Sequence, residues 1–112
     1  MKHTEYEGIK LTIGGMAFTW DTKKASANLR KHGIRFEDAA TIFSDDGAVI
    51  RINSVDDYTG EERLEVIGWV YGDLMFVVYV ERITVDKQDI IRIISARFAN
   101  SREEEIYAYG IE

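Results

Sequence analysis

The sequence contains no cysteine and no proline. Without cysteine, disulfides and thiolate metal sites are excluded, and the chain fits a reducing compartment. Without proline, and with no low-complexity tract or internal repeat, nothing in the composition marks a linker. Histidine is scarce: there are two, His3 and His32. Neither belongs to a spaced His/Asp/Glu set, so no metal site is expected. Asp56-Asp57 lacks the spacing of a calcium loop. No P-loop, dinucleotide fingerprint or nucleophile elbow occurs, and no cofactor is expected. No apolar run approaches the roughly 20 residues of a membrane span. The N-terminal Met1-Lys2-His3-Thr4-Glu5 lacks the apolar stretch of a signal peptide. A cytoplasmic location without membrane contact is the default expectation.

What is present is ordinary globular composition: 112 residues, 46% hydrophobic and 30% charged. That supports one domain with one core. Net charge is −6. As a sum it argues against a nucleic-acid binder. The distribution is uneven, however. Thr22 to Arg35 carries five cations (Lys23, Lys24, Arg30, Lys31, Arg35) and no anion. The last twelve residues carry four glutamates and one arginine. Because charge is screened over about 8 Å at physiological salt, a local basic patch survives on an acidic protein.

Two alternating runs around Gly14-Gly15 predict a hairpin from Lys10 to Trp20. Asp21 is the expected N-cap of a helix ending near His32, with Gly33 as its stop. Phe36, Ala39, Ala40 and Phe43 recur at helical spacing and predict a second short helix. Strands follow at Ala48–Ile52, Glu62–Tyr71, Leu74–Val80 and Ile90–Phe98. Turns are expected at Gly72-Asp73 and over Asp86-Lys87-Gln88-Asp89. Asn100 or Ser101 caps a last helix, with Glu103 or Glu104 at the N3 position. Sequential strands with short connections pair antiparallel. The expected fold class is therefore α+β, in two layers: an antiparallel sheet of four to five strands, two N-terminal helices and a C-terminal helix. Residues 1–15 read as an N-terminal extension, with a strand of the sheet as its structured form. Residues 16–112 read as a single domain.

On a helical wheel Lys24, Asn28 and Lys31 share one ridge, with His32 at its border. On spacing alone, a solvated face with a satisfied histidine is the preferred reading. Arg63, Arg82, Arg92 and Arg97 punctuate the strands. They suit either edge ion pairs or an anion site on an open sheet face, since guanidinium forks match phosphate oxygens.

Trp20-Asp21, Lys24, Asn28, Lys31-His32-Gly33-Ile34 and Phe36 resemble the opening signature of BrnT-family toxins. The match continues at Ala39 and Phe43, at Gly60-Glu61-Glu62-Arg63, at Glu81-Arg82 and at Arg92-Ile93-Ile94-Ser95-Ala96-Arg97. It ends at Glu103 and Tyr107. Thr22 replaces the family's usual proline. Phe98, Ser101, Glu104 and Glu105 stand where the family is typically basic.

The resemblance implies a RelE-like fold over residues 16–112. It implies a ribonuclease toxin of a type II toxin–antitoxin pair, cleaving RNA without metal and arresting translation. It also implies neutralisation by a BrnA-like antitoxin, which alone would contact operator DNA, with a homodimer or a heterotetramer with antitoxin as the assemblies in view. Carried onto this sequence, the catalytic candidates are His32, Glu81, Arg63, Arg82 and Arg97. The RNA-binding candidates are Lys24, Asn28, Lys31 and Arg92. Cleavage of this kind needs a base for the 2′-hydroxyl, an acid for the leaving oxygen and cations for the phosphorane charge. Glu81 or His32 is the expected base, and an imidazole can serve as base or acid. The alternative is a non-catalytic protein-interaction or ligand-binding module on the same fold.

Overall fold

The computed structural model describes residues 8–83 and 88–110. His3, and Asp86 and Lys87 of the expected turn, lie outside them. The chain begins with a hairpin of β1 (Leu11–Ile13) and β2 (Met16–Thr19). Gly14 and Gly15 both have positive φ, 56° and 85°. That is the requirement of a type I′ turn, whose twist matches the flanking strands. Helix α1 (Thr22–His32) starts at Asp21, whose side chain accepts from the Lys23 N–H at 2.9 Å. It stops at Gly33, in the left-handed region at φ 73°, whose N–H donates to the Leu29 carbonyl at 2.8 Å.

Helix α2 (Phe36–Ala39) is one turn and passes directly into a 3-10 turn, Ala40–Ser44. Four strands follow: β3 (Val49–Val55), β4 (Glu62–Val70), β5 (Asp73–Ile83) and β6 (Asp89–Phe98). Helix α3 (Ser101–Tyr109) closes the chain. Its Asn100 accepts from the Glu103 N–H while the Glu103 carboxylate accepts from the Asn100 N–H, each at 2.9 Å. This reciprocal cap satisfies two donors that the helix itself leaves unpaired. Among the described residues no helix is long and apolar enough to cross a membrane.

The sheet corrects the expectation of four to five antiparallel strands. It has six strands in the order β1-β2-β6-β5-β4-β3. Strand β2 runs parallel to β6, with Phe18 opposite Ile91. The reason is burial. Ala17, Phe18 and Thr19 are almost inaccessible, and a three-residue β1 cannot enclose them alone. The edge of β6 supplies the second neighbour. This pairing joins segments about 70 residues apart, so a rule based on sequential neighbours does not reach it. The second N-terminal helix is likewise reduced to one α turn.

The two-layer expectation also changes. One cluster packs Phe18, Trp20, Phe36 and Ile42 against Val66, Val77, Ile93 and Ala96. A second packs Ile106 of α3 against Ile67 and Phe76, on the opposite sheet face. The middle of the sheet is therefore covered on both sides. Each large side chain so buried contributes roughly 1.5–3 kcal/mol.

The β4–β5 turn falls one residue earlier than expected. Val70 pairs with Asp73, so the turn residues are Tyr71 and Gly72, at φ 47° and 87°.

Candidate functional site

Side chains alternate across a strand, so register alone decides which residues share a face. On β4, Arg63 and Glu65 point the same way as Ile67. Ile67 lies opposite Phe76, and Phe76 opposite Arg97. Val78 lies opposite Ser95, Val80 opposite Arg92, and Arg82 opposite Ile90. The extra residue that shifts the β5–β6 register between Ser95 and Ile93 keeps Arg97 and Arg92 on one face. Continuing the Leu64–Tyr79 register brings Arg63 beside Val80, and the ion pair between Glu61 and Arg82 follows the same register. Arg63, Arg82 and Arg92 thus surround Val80 on the face that carries α3. Val80 is 2% exposed, in keeping with arginine stems covering apolar surface while their heads reach water. Arg63 and Arg82 are exposed and Arg92 is half-buried. Helix α3 packs at the other end of this face, against Ile67 and Phe76.

The arginines differ in how firmly they are held. Arg82 meets Glu61 at 3.1 Å, with 51% and 36% of the two side chains exposed. Such a pair is weak in water, and an incoming phosphate can displace it. Arg97 is locked. It donates a fork to both Glu103 oxygens at 2.9 and 2.8 Å and lies 4.1 Å over the Phe76 ring. The Glu103 hydrogen bonds raise the Arg97 pKa against its partial burial. Burial draws the Glu103 carboxyl upward, but hydrogen bonds from Arg97 and the Asn100 N–H outweigh it and leave its pKa lowered. Arg51 Nε approaches Glu65 at 3.4 Å, and the Asn53 amide donates to Glu65 at 2.8 Å. Glu65 is 7% exposed.

The remaining expected residues lie elsewhere. Glu81 is opposite Ile91, on the face of the larger core cluster, away from Arg82. Its charge adds to burial in raising the Tyr79 pKa to about 12. Lys24 and Lys31 are exposed and His32 is half-buried on α1, whose Ala25 packs with the larger cluster. Asn28, expected on an exposed RNA-binding ridge, is the buried residue of α1. Its Nδ2 donates to the carbonyls of Ala96 at 2.9 Å and Ile34 at 3.2 Å, and its Oδ1 accepts from the Ala96 N–H at 3.1 Å. The side-chain amide imitates a strand beside β6, beyond the point where β2 stops pairing. Arg51, Glu61 and Glu65 were missed as members of the basic face. Only the alternation Arg51/Asn53 against Arg63/Glu65 hinted at them. Among the described residues no group of His, Asp and Glu is arranged to hold a metal.

Such a protein is a small mixed-sheet domain that gathers guanidinium groups on one face despite its negative net charge. The model of the BrnT family, ribonuclease toxins of type II toxin–antitoxin systems, matches residues 20–103, and the chain belongs to that family. Membership implies an antitoxin partner. Among curated proteins, none matches the chain.

Proposed function

We propose that the chain is a toxin ribonuclease that holds RNA on the α3-bearing face of the sheet. The observation that carries this reading is the convergence of Arg63, Arg82 and Arg92 around Val80. Flanking guanidinium groups grip the non-bridging oxygens of a phosphate and stabilise the charge that builds up when the 2′-hydroxyl attacks. Glu61, already beside Arg82, is the carboxylate this reading assigns as base. Once phosphate takes over Arg82, Glu61 accepts the 2′-hydroxyl proton. The 2′-oxygen bonds to phosphorus as the P–O5′ bond breaks, and water protonates the leaving 5′-oxygen, giving a 2′,3′-cyclic phosphate and a 5′-hydroxyl. The step needs no metal, and cleavage of cytoplasmic RNA arrests translation. A BrnA-like antitoxin neutralises the protein by occupying the same arginines.

The test is purified protein with a fluorescent single-stranded RNA, alone and with the arginines replaced. Single alanine variants of Arg63, Arg82 and Arg92 should each weaken binding. Each should also reduce the slope of log affinity against log salt by about 0.7, the value for one lost phosphate contact on a single strand. Induced expression should arrest growth, and the triple variant should not. If the wild-type chain cleaves no RNA and its affinity ignores salt, the reading fails.

A second reading, a non-catalytic interaction module, draws on one observation. Arg51, Arg82 and Arg97 already have carboxylate partners. It predicts normal antitoxin binding with no RNA cleavage.

A further inference from the structure

Ala17, Val80 and Ile90 are only 1%, 2% and 2% exposed, yet neither core cluster described above includes them. Register puts them together. Ala17 lies opposite Ile90, and Ile90 opposite Arg82. One row along, Thr19 lies opposite Arg92, and Arg92 opposite Val80. Residues in one row share a face, so all of these lie on the face of Arg63, Arg82 and Arg92. Thr19 is 3% exposed. Arginine stems shelter Val80, but Ala17 and Thr19 sit toward the hairpin edge of the sheet. Side chains this small lose contact with water on a sheet face only under a further layer of atoms. Helices α1 and α2 pack on the other face, and α3 packs at the far end of this one.

The chain itself approaches this row. Thr19 Oγ1 donates to the Gly8 carbonyl at 2.7 Å, so Gly8 lies at the row's end. Gly8 has φ 77°, a bend that glycine takes without strain. Seven residues precede it: Met1-Lys2-His3-Thr4-Glu5-Tyr6-Glu7. Fully extended, such a segment reaches roughly 23 Å. From Thr19 across Arg92 and Val80 to Arg63 is a distance of only about 14 Å at the usual strand spacing. We infer that Met1–Glu7 is an internal cover of the arginine row and competes with RNA for its guanidinium groups; the competition rests on the ribonuclease reading. The chemistry of the segment complements the row. Glu5 and Glu7 offer guanidinium groups a carboxylate where RNA would offer a phosphate. Tyr6 between them offers apolar area to Ala17, Val80 and Ile90. Ion pairs at such a surface are weak, so an RNA strand that meets several arginines at once displaces the cover. The family match begins at residue 20, so the segment lies outside the matched region.

The chain has no cysteine, so a single Ala17→Cys thiol reports whether this face is covered. Its reaction with a maleimide is timed in the full chain and in a chain lacking residues 1–7, both checked for wild-type circular dichroism. Loss of the segment should speed labelling about tenfold or more, because the thiol no longer waits for a local opening. Binding of single-stranded RNA is measured in parallel without the cysteine. Removal of residues 1–7, and Glu5→Gln with Glu7→Gln in the full chain, should each tighten binding about threefold or more, the worth of surface ion pairs. Glu104→Gln with Glu105→Gln makes the same change of charge on α3 and should alter binding by less than about twofold at physiological salt. If the shortened chain does not fold, the full-length E5Q/Y6G/E7Q variant supplies both readings. An unchanged labelling rate overturns the cover. Faster labelling with unchanged or weaker RNA binding overturns the competition. If neither form binds RNA, the ribonuclease reading fails, and the labelling rates still decide whether the segment covers the row.

Discussion

Asn28 shows how little a residue type says about its role until its neighbours are known. Its helical spacing with Lys24 and Lys31 suggests an exposed ridge, yet its amide closes the edge of β6. Replacing it with alanine leaves the Ala96 N–H and carbonyl buried and unpaired, at about 1–3 kcal/mol for each group. N28A should therefore lose roughly 2–4 kcal/mol in urea unfolding, whereas Lys24→Ala should change stability by no more than about 0.5 kcal/mol.

Glu103 gives a pH prediction. Its folded pKa is lowered, so its contribution is complete above the unfolded value near 4.5. It is lost as pH falls through the lower folded value. Melting curves from pH 7 to pH 3 should show a decline that is shallower in the Glu103→Gln variant, the remainder belonging to Asp45 and Asp56, whose carboxyls are also lowered. The charge-assisted fork to Arg97 was not legible in sequence. The sequence offers Glu103 or Glu104 as the cap partner, and the second role of Glu103 depends on α3 folding back over β6.

At the scale of elements, local chemistry was well written into the chain. The Asp21 and Asn100 caps, the Gly33 stop and the Gly14-Gly15 hairpin lie where their residue types require. The β4–β5 turn is the informative exception. A Gly-Asp pair suggests a turn beginning at Gly72, but the alternating pattern on both strands brings Val70 opposite Asp73 and forces Tyr71 to φ 47°. A tyrosine in this left-handed region is strained by about 1–2 kcal/mol. Tyr71→Asn should then raise stability by up to about 1 kcal/mol, measured by thermal or urea unfolding. Gly72→Ala, at φ 87°, should lower it.

At the scale of the molecule, charge is separated by layer. Exposed lysines line α1, arginines line the opposite sheet face, and glutamates collect on α3. The net charge of −6 therefore says little about what any one face binds. RNA affinity should fall steeply between 50 and 200 mM salt, as it does wherever phosphates are held by cations. Reversing Lys24 and Lys31 to glutamate should weaken binding far less than R63E, since they lie on the other layer.

Sequence by itself determined α1 and α3 with their caps, the hairpin and the β3–β6 meander, because those follow from contacts between near neighbours, whereas the second N-terminal helix it suggests is one α turn followed by a 3-10 turn. It also carried the ordered residues that mark the family. Tertiary structure alone decided the parallel β2–β6 pair, the position of α3 on the second face and the division of the candidate residues. Arg63, Arg82, Arg92 and Arg97 meet on one face, while Glu81, His32 and the α1 lysines do not join them. The physical reason is that a strand's two faces alternate residue by residue. Neighbours such as Glu81 and Arg82 are parted by that alternation, and distant residues such as Arg63 and Arg92 are brought together by register.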